Sequence, residues 1–292
     1  MSSVRAAEGI QRVGIVGSGI MGAGIAELCA RAGCDVLVAV SSDKSLETGP
    51  ARVTRSLDRA VSKGKISADE RAGALERLLF TRDLGELSDR QLIVEAVKED
   101  ESLKADLFRA LDKIVESSDA IFASNTSSLS VARLAQTTSR PARFVGTHFF
   151  NPVPVLPLVE LVDSVLTDPL VTTEVEEFIA GRLGKTVVRA PDRAGFIVNA
   201  LLFPYLLSAI RMVDSGLASA EVIDQGMTLG CSHPMGPLQL ADLIGLDTTV
   251  SIAEAMYEEF KEPLYAPPAL LLRMVEGGLL GKKSGRGFYT YS

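Results

Sequence analysis

The sequence predicts an α/β protein: a doubly wound, mostly parallel sheet over residues 1–190, followed by an all-α domain over residues 191–292. Three observations carry this. Short apolar runs alternate with stretches of helical period as far as residue 190, the first run ends in clustered glycines, and the strand pattern stops after Pro191.

RVGIVG (12–17) is a short apolar run closed by glycine, the texture of a parallel strand buried on both faces. SGIMGAGIAELCARAG continues at helical period and stops at Gly33, a natural C-cap. CDVLVAV (34–40) is the second strand, and residues 44–63 read as a polar amphipathic helix. SADERAGALERLL is another helix, N-capped by Ser67. FTRDL is a short edge-strand candidate, QLIVEAV (91–97) a strand, and ESLKADLFRALDKIV a strongly periodic helix. AIFASNT (120–126) and RFVGTHFF (143–150) are strands, and residues 158–164 with KTVVRA (185–190) close the sheet. The turn-rich APDRAG (190–195) marks the boundary; beyond it, residues 196–214, 219–230, 236–260 and 267–280 read as helices.

With 292 residues the chain is long enough for two domains or one large α/β unit, and at 47% hydrophobic and 23% charged it has the composition of a soluble globular protein. Its net charge of −7 argues against a nucleic-acid-binding surface, although local basic clusters would still hold a phosphorylated small molecule. Cys29, Cys34 and Cys231 have no metal-ligand or redox spacing, so no metal is expected and the thiols read as small core hydrophobes in a reducing cytosol. MSSVRAAEGIQ lacks the apolar core of a signal peptide and reads as a short tail. Every apolar stretch is interrupted before the ~18 residues that a membrane span requires. A cytoplasmic protein with no membrane association is expected.

The glycine run is the first chemical signal. Gly17, Gly19 and Gly22 form G-x-G-x-x-G, with Ile20 and Met21 between the last two, at a strand-to-helix junction. Gly17 permits the tight turn, Gly19 lets backbone approach a pyrophosphate, and Gly22 lets helix and strand pack closely. The helix N-terminus then faces the phosphates. A dinucleotide cofactor and a Rossmann-like domain follow. Such a site also expects an Asp or Glu at the end of the second strand, to bind the adenosine ribose. Val40 stands there instead, followed by Ser41, Ser42, Asp43 and Lys44. Hydroxyls and a nearby cation would accept a 2′-phosphate that an acid would repel, so NADP is expected to be tolerated. Binding of NAD through Ser41 or Asp43 is equally compatible with these residues.

Further along, SNTSSLS (124–130), GTHFFNPVPVLPLVELV (146–162), RAGFIVNALLFPY (193–205), PMGPLQLADLIGLD (234–247) and GKKSGRGFYTY (281–291) occur in this order. Together with the glycine loop, these segments resemble the 3-hydroxyacyl-CoA dehydrogenase family, in particular the stand-alone 3-hydroxybutyryl-CoA dehydrogenases of bacteria, over residues 12–291. The resemblance implies an oxidoreductase that interconverts a 3-hydroxyacyl-CoA and a 3-ketoacyl-CoA with a nicotinamide cofactor. Removing the hydroxyl proton suits a histidine, whose pKa lies near neutrality. His148 sits just after strand residues, and Glu160 follows it past the proline-rich NPVPVLP, which folds the chain back. Taken alone, a histidine beside two phenylalanines is more often a satisfied core residue; the resemblance makes His148 and Glu160 the catalytic pair. His233, ahead of Pro234, reads as a turn or packing residue.

The resemblance also implies that Ser127 and Asn199 position the substrate, residues that by propensity alone read as ordinary caps. It further implies cofactor contacts from Glu99, Lys104, Asn151 and Lys283, and CoA contacts from Ser56 and Lys63. Without it, Glu99 and Lys104 are a solvated helix-start pair, and Ser56 and Lys63 part of a solvated helix face that also carries Arg52, Arg55 and Arg59. The strongly apolar C-terminal helices exceed what a domain of ~100 residues buries internally, and the resemblance implies a homodimer through them. A related hydroxyacid or sugar-acid dehydrogenase, or a non-catalytic dinucleotide-binding protein, are the competing readings. The first would lack the CoA contacts, and the second would lack the set Ser127, His148, Glu160 and Asn199.

Overall fold

The computed structural model describes residues 9–291; the segment read as a tail falls, over residues 1–8, outside them. Two compact units divide after Asp192.

The first unit is built on one sheet. β1 (Arg12–Val16) lies between β2 (Asp35–Ala39) and β4 (Leu92–Glu95), and β3 (Leu78–Thr81) forms the edge beyond β2. On the other side follow β5 (Ile121–Ser124), β6 (Phe144–Phe149), β7 (Leu158–Asp163) and β8 (Thr186–Pro191), in that spatial order. Adjacent strands are parallel except β6 and β7, which are antiparallel. Strand direction and order therefore give the doubly wound arrangement, with the reversal of winding at β1 and β4.

The helices of this unit are α1 (Ile20–Arg31), α2 (Asp43–Ser62), α3 (Ala68–Glu76), α4 (Glu101–Ile114), α5 (Val131–Ala135) and α6 (Pro169–Glu177). α1 ends in a Schellman turn: Gly33, at φ +83°, donates to the Ala30 carbonyl and Cys34 to the Cys29 carbonyl. Ser67 opens α3 with a full capping box, its Oγ accepting from Glu70 N–H while Glu70 Oε2 accepts from Ser67 N–H at 2.6 Å. α6 was not among the expected elements. Its signal is Asp168-Pro169, an N-cap whose carboxylate accepts from Leu170 N–H, followed by proline in the first turn. One side of the core packs Ile25 and Cys29 of α1 with Ile15, Val36 and Val38. Elsewhere Phe108 packs against Phe122 and meets Phe144 edge to face, with centroids 4.6 Å apart for the Phe108–Phe144 pair.

The second unit contains α7 (Val198–Asp214), α8 (Ala220–Gly230), α9 (Pro237–Ile244), α10 (Leu246–Phe260) and α11 (Ala269–Glu276) around Leu207, Ile210, Leu238, Leu246 and Leu271. The single helix expected over 236–260 is in fact two. Gly245 adopts φ +102°, outside the right-handed helical region, and separates α9 from α10. Asp224 of α8 accepts from Leu238 and Gln239 N–H, capping α9 from a distance in sequence. Asp242, fully buried, accepts from the N–H groups of Phe288 and Tyr289 and from the Tyr291 hydroxyl, stitching the C-terminal segment to α9. Cys29 and Cys34 are buried as expected, but Cys231 is exposed because it follows the last turn of α8. Among the described residues, no helix is long and apolar enough to cross a membrane.

Candidate active site

A cavity of about 810 Å³ opens in the first unit at the C-terminal ends of β1, β2 and β4, where the winding reverses. Gly17, Gly19, Ile20 and Met21 form one side of it. Gly17 has φ +102°, and a Cβ there would lie 2.7 Å from the Ala96 carbonyl oxygen. A Cβ on Gly22 would lie 2.0 Å from the Gly17 carbonyl oxygen, so this glycine serves packing and is not part of the cavity wall. A Cβ on Gly19 would meet nothing within 4 Å. Backbone at Gly19 therefore faces open space at the N-terminus of α1, which suits a pyrophosphate held on backbone N–H groups. Arg52 of α2, expected on a solvated face, lines the cavity and donates to the Ser18 carbonyl, bracing the loop.

Val40 follows β2 directly, buried on the cavity wall, its N–H on the Thr81 carbonyl at 2.9 Å. Ser41 lines the cavity as well. Ser42 does not: its Oγ accepts from Ser45 N–H at 3.2 Å as the N-cap of α2.

Below the cavity lies a charged network that the sequence did not disclose. Glu95, fully buried at the end of β4, accepts from Lys104 Nζ at 2.8 and 2.9 Å, from Ser124 Oγ at 2.6 Å and from Val97 N–H at 2.7 Å. Lys104 Nζ also lies 2.9 Å from Glu99 Oε2. Glu99 in turn accepts from Thr126 Oγ1 and from Ser127 N–H at 2.8 Å. Burial pushes the Glu99 carboxyl up, but the Lys104 ammonium and the Thr126 and Ser127 donors outweigh it and hold it below the usual carboxylate range. Glu99 and Ser127 line the cavity. Lys104 does not; at 1% exposure its ammonium is turned inward between two carboxylates. It is neither half of a solvated pair nor a wall residue, and what it holds is Glu99. The available signal was Glu95 itself, an acid inside the apolar run LIVEA.

His148 is the fifth of six residues of β6, inside the strand and buried. The antiparallel register of β6 and β7 sets His148 directly opposite Glu160, with His148 Nδ1 2.8 Å from Glu160 Oε2. The fold-back expected from NPVPVLP is thus a strand connection. Lys185 closes it, Nζ donating to the carbonyls of Val153 and Leu156 at 2.8 Å each. Asn125, on the cavity wall, accepts from Phe149 N–H at 3.0 Å and so joins the wall to the residue after His148. Asn151 is exposed in the connection and does not line the cavity.

The remaining positions lie elsewhere. Ser56 is half-buried on α2 and Lys63 is its exposed C-cap, neither on the cavity wall. Asn199 is buried in the first turn of α7, and Lys283 pairs with Asp247 Oδ2 at 2.6 Å; both belong to the helical unit. His233 Nδ1 lies 3.1 Å from the Tyr205 hydroxyl, a packing role as expected.

Comparison with known proteins identifies the family. The family model for the NAD binding domain of 3-hydroxyacyl-CoA dehydrogenase matches residues 12–193, and that for the C-terminal domain of 3-hydroxyacyl-CoA dehydrogenase matches residues 195–291. The chain is 58% identical to 3-hydroxybutyryl-CoA dehydrogenase of Mycobacterium tuberculosis over 284 residues, which are 97% of this chain and 99% of that protein. The crystal structure of M. tuberculosis FadB2 superposes with a TM-score of 0.96 at 58% identity, covering 98% of this chain and all of that one. That of (S)-3-hydroxybutyryl-CoA dehydrogenase PaaH1 from Ralstonia eutropha gives 0.92 at 44% identity, covering 97% and 99%. With a nicotinamide-binding sheet domain and a helical C-terminal domain matched in order along nearly its whole length, this chain is an oxidoreductase belonging to the 3-hydroxyacyl-CoA dehydrogenase family.

Proposed function

We propose that the protein interconverts short-chain 3-hydroxyacyl-CoA and 3-ketoacyl-CoA, with 3-hydroxybutyryl-CoA and acetoacetyl-CoA as the natural pair, and that His148 is its general base and acid. The observation that carries the proposal is the buried His148–Glu160 contact of 2.8 Å. With Glu160 ionised, His148 Nδ1 carries its proton toward the carboxylate, and Nε2 takes the hydroxyl proton of the substrate. Glu160 fixes this tautomer and stabilises the imidazolium that forms. In the reductive direction, the same imidazolium returns the proton to the carbonyl oxygen. When bound, the nicotinamide ring supplies or removes hydride at the substrate's C3 carbon. Gly17, Gly19, Ile20, Met21, Ser41 and Glu99 hold the dinucleotide, and Lys104 keeps Glu99 in place. Ser127 and Asn199 orient the substrate, Ser56 and Lys63 contact CoA, and Asn151 and Lys283 complete the cofactor set.

Residues 1–190 serve as the dinucleotide domain and residues 191–292 as the substrate and dimerisation domain of a cytoplasmic homodimer. The exposed apolar side chains Leu201 on α7 and Val222 and Leu229 on α8 support association through these helices. Either NAD or NADP serves as cofactor, because no acid occupies position 40. Reduction of acetoacetyl-CoA, followed at the absorbance of the reduced nicotinamide, tests the reading. Turnover is expected with the CoA thioester and not with free acetoacetate; activity confined to the free acid would replace the proposal with a hydroxyacid dehydrogenase.

A further inference from the structure

Arg82 is a wall residue that belongs to none of the sequence motifs. It follows β3 directly, and the β2–β3 register sets Ala39 opposite Thr81, so Arg82 stands beside Val40. Val40 is where a ribose-binding acid is expected, and both residues line the same cavity as the glycine loop. An apolar side chain therefore occupies the discriminating position, and a guanidinium stands next to it.

What Arg82 holds is weakly held. Its Nη1 lies 2.7 Å from Asp43 Oδ1, in the first turn of α2, and the two side chains are 51% and 80% exposed. An ion pair this open to water contributes little and exchanges readily for a better partner. Arg52, the other guanidinium on the wall, is committed to the Ser18 carbonyl. Ser41, beside Val40, offers a hydroxyl on the same stretch of wall.

We infer that Arg82 is the specificity-determining residue for a 2′-phosphorylated cofactor, an inference that rests on the dinucleotide reading of this cavity. The planar guanidinium fork matches phosphate oxygens in a two-point contact, and its charge compensates the dianion. On binding of the phosphorylated cofactor, Arg82 leaves Asp43 for the 2′-phosphate. With the unphosphorylated cofactor it stays on Asp43. The carboxylate thus competes with the phosphate for one cation, and the balance between Asp43 and Arg82 sets the preference.

Fluorescence titration of the full chain with NADPH and with NADH, in the absence of any acyl-CoA, reads this directly. Arg82→Ala is expected to weaken NADPH binding about tenfold or more, the scale of a lost charged hydrogen bond, while NADH binding changes by less than about twofold. Asp43→Asn removes the competitor and is expected to tighten NADPH binding by about threefold. Adenosine 2′,5′-bisphosphate should displace NADPH from the unmodified protein and lose about tenfold in potency against Arg82→Ala. Equal weakening of both cofactors by Arg82→Ala, or no change in either, would overturn the assignment, as would an unmodified protein that binds NADH and not NADPH. Failure to bind either dinucleotide would instead remove the underlying reading, and Arg82's role with it.

Discussion

The sheet unit and the helical unit both bury carboxylates, but they satisfy them with different partners. Glu95 and Glu160 of the sheet unit face Lys104 and His148, side chains that carry or exchange a proton. Asp224 and Asp242 of the helical unit accept from backbone N–H groups and from the hydroxyls of Tyr289 and Tyr291. Burial raises the pKa of both tyrosines, and their hydrogen bonds to the acids raise it further, well above the ordinary phenol range. Those hydroxyls therefore remain protonated donors where an ordinary phenol begins to ionise. An acid surrounded by such donors fixes a chain path; an acid paired with an imidazole leaves a proton that can be moved. The same residue type is thus scaffolding in one unit and candidate chemistry in the other.

Several substitutions break or sharpen that contrast, in decreasing order of effect. His148→Gln keeps a polar side chain but loses the base, and kcat should fall by about 10³-fold or more while the dinucleotide dissociation constant holds; retention of full turnover would remove His148 from the mechanism. Glu160→Gln keeps the shape but not the charge that fixes the tautomer. A loss in kcat of about 10²–10³-fold is expected, again without a change in dinucleotide affinity. In the helical unit, Asp242→Asn replaces one acceptor oxygen with a donor facing donors. It should cost about 2 kcal/mol of stability in urea unfolding, and leave dinucleotide binding by the sheet unit unchanged. A cofactor-binding defect as large as the stability defect would contradict the division between chemistry and scaffolding.

The smallest effect is one of pH. Because the folded-state pKa of Glu99 is depressed, its contribution to stability is present above the ordinary carboxylate value and is lost as pH falls through the depressed value. Glu99→Gln should therefore flatten the acid side of the stability profile, seen as a smaller drop in unfolding midpoint on acidification than the unmodified protein shows.

Much of the fold was legible because local chemistry announces it. The strand-to-helix glycines, the Ser67–Glu70 capping box and Gly33 after α1 each act within a few residues, so pattern and structure agree there. The break between α9 and α10 was missed because the apolar period runs straight through Gly245, and a glycine declares its φ only when the chain around it is folded. α6 was missed although Asp168-Pro169 marks its start. In the candidate site, the members adjacent to motifs were readable, whereas Glu95, Arg52 and Arg82 were not. Each acts on a partner supplied by another element: Lys104 of α4, the Ser18 carbonyl and the wall beside Val40.

The sequence by itself determined that a glycine loop opens a doubly wound sheet, that His148 and Glu160 flank a reversal of the chain, and that position 40 lacks an acid, since each depends on residue identity and short-range order. Only the tertiary structure decided which charges meet. Lys104 is turned inward, Ser42 is spent on a helix cap, and Arg82 stands beside Val40 because strand register and helix packing bring together residues far apart in the chain. An ion pair is set by distance and burial, and a linear sequence specifies neither until the backbone has closed around it.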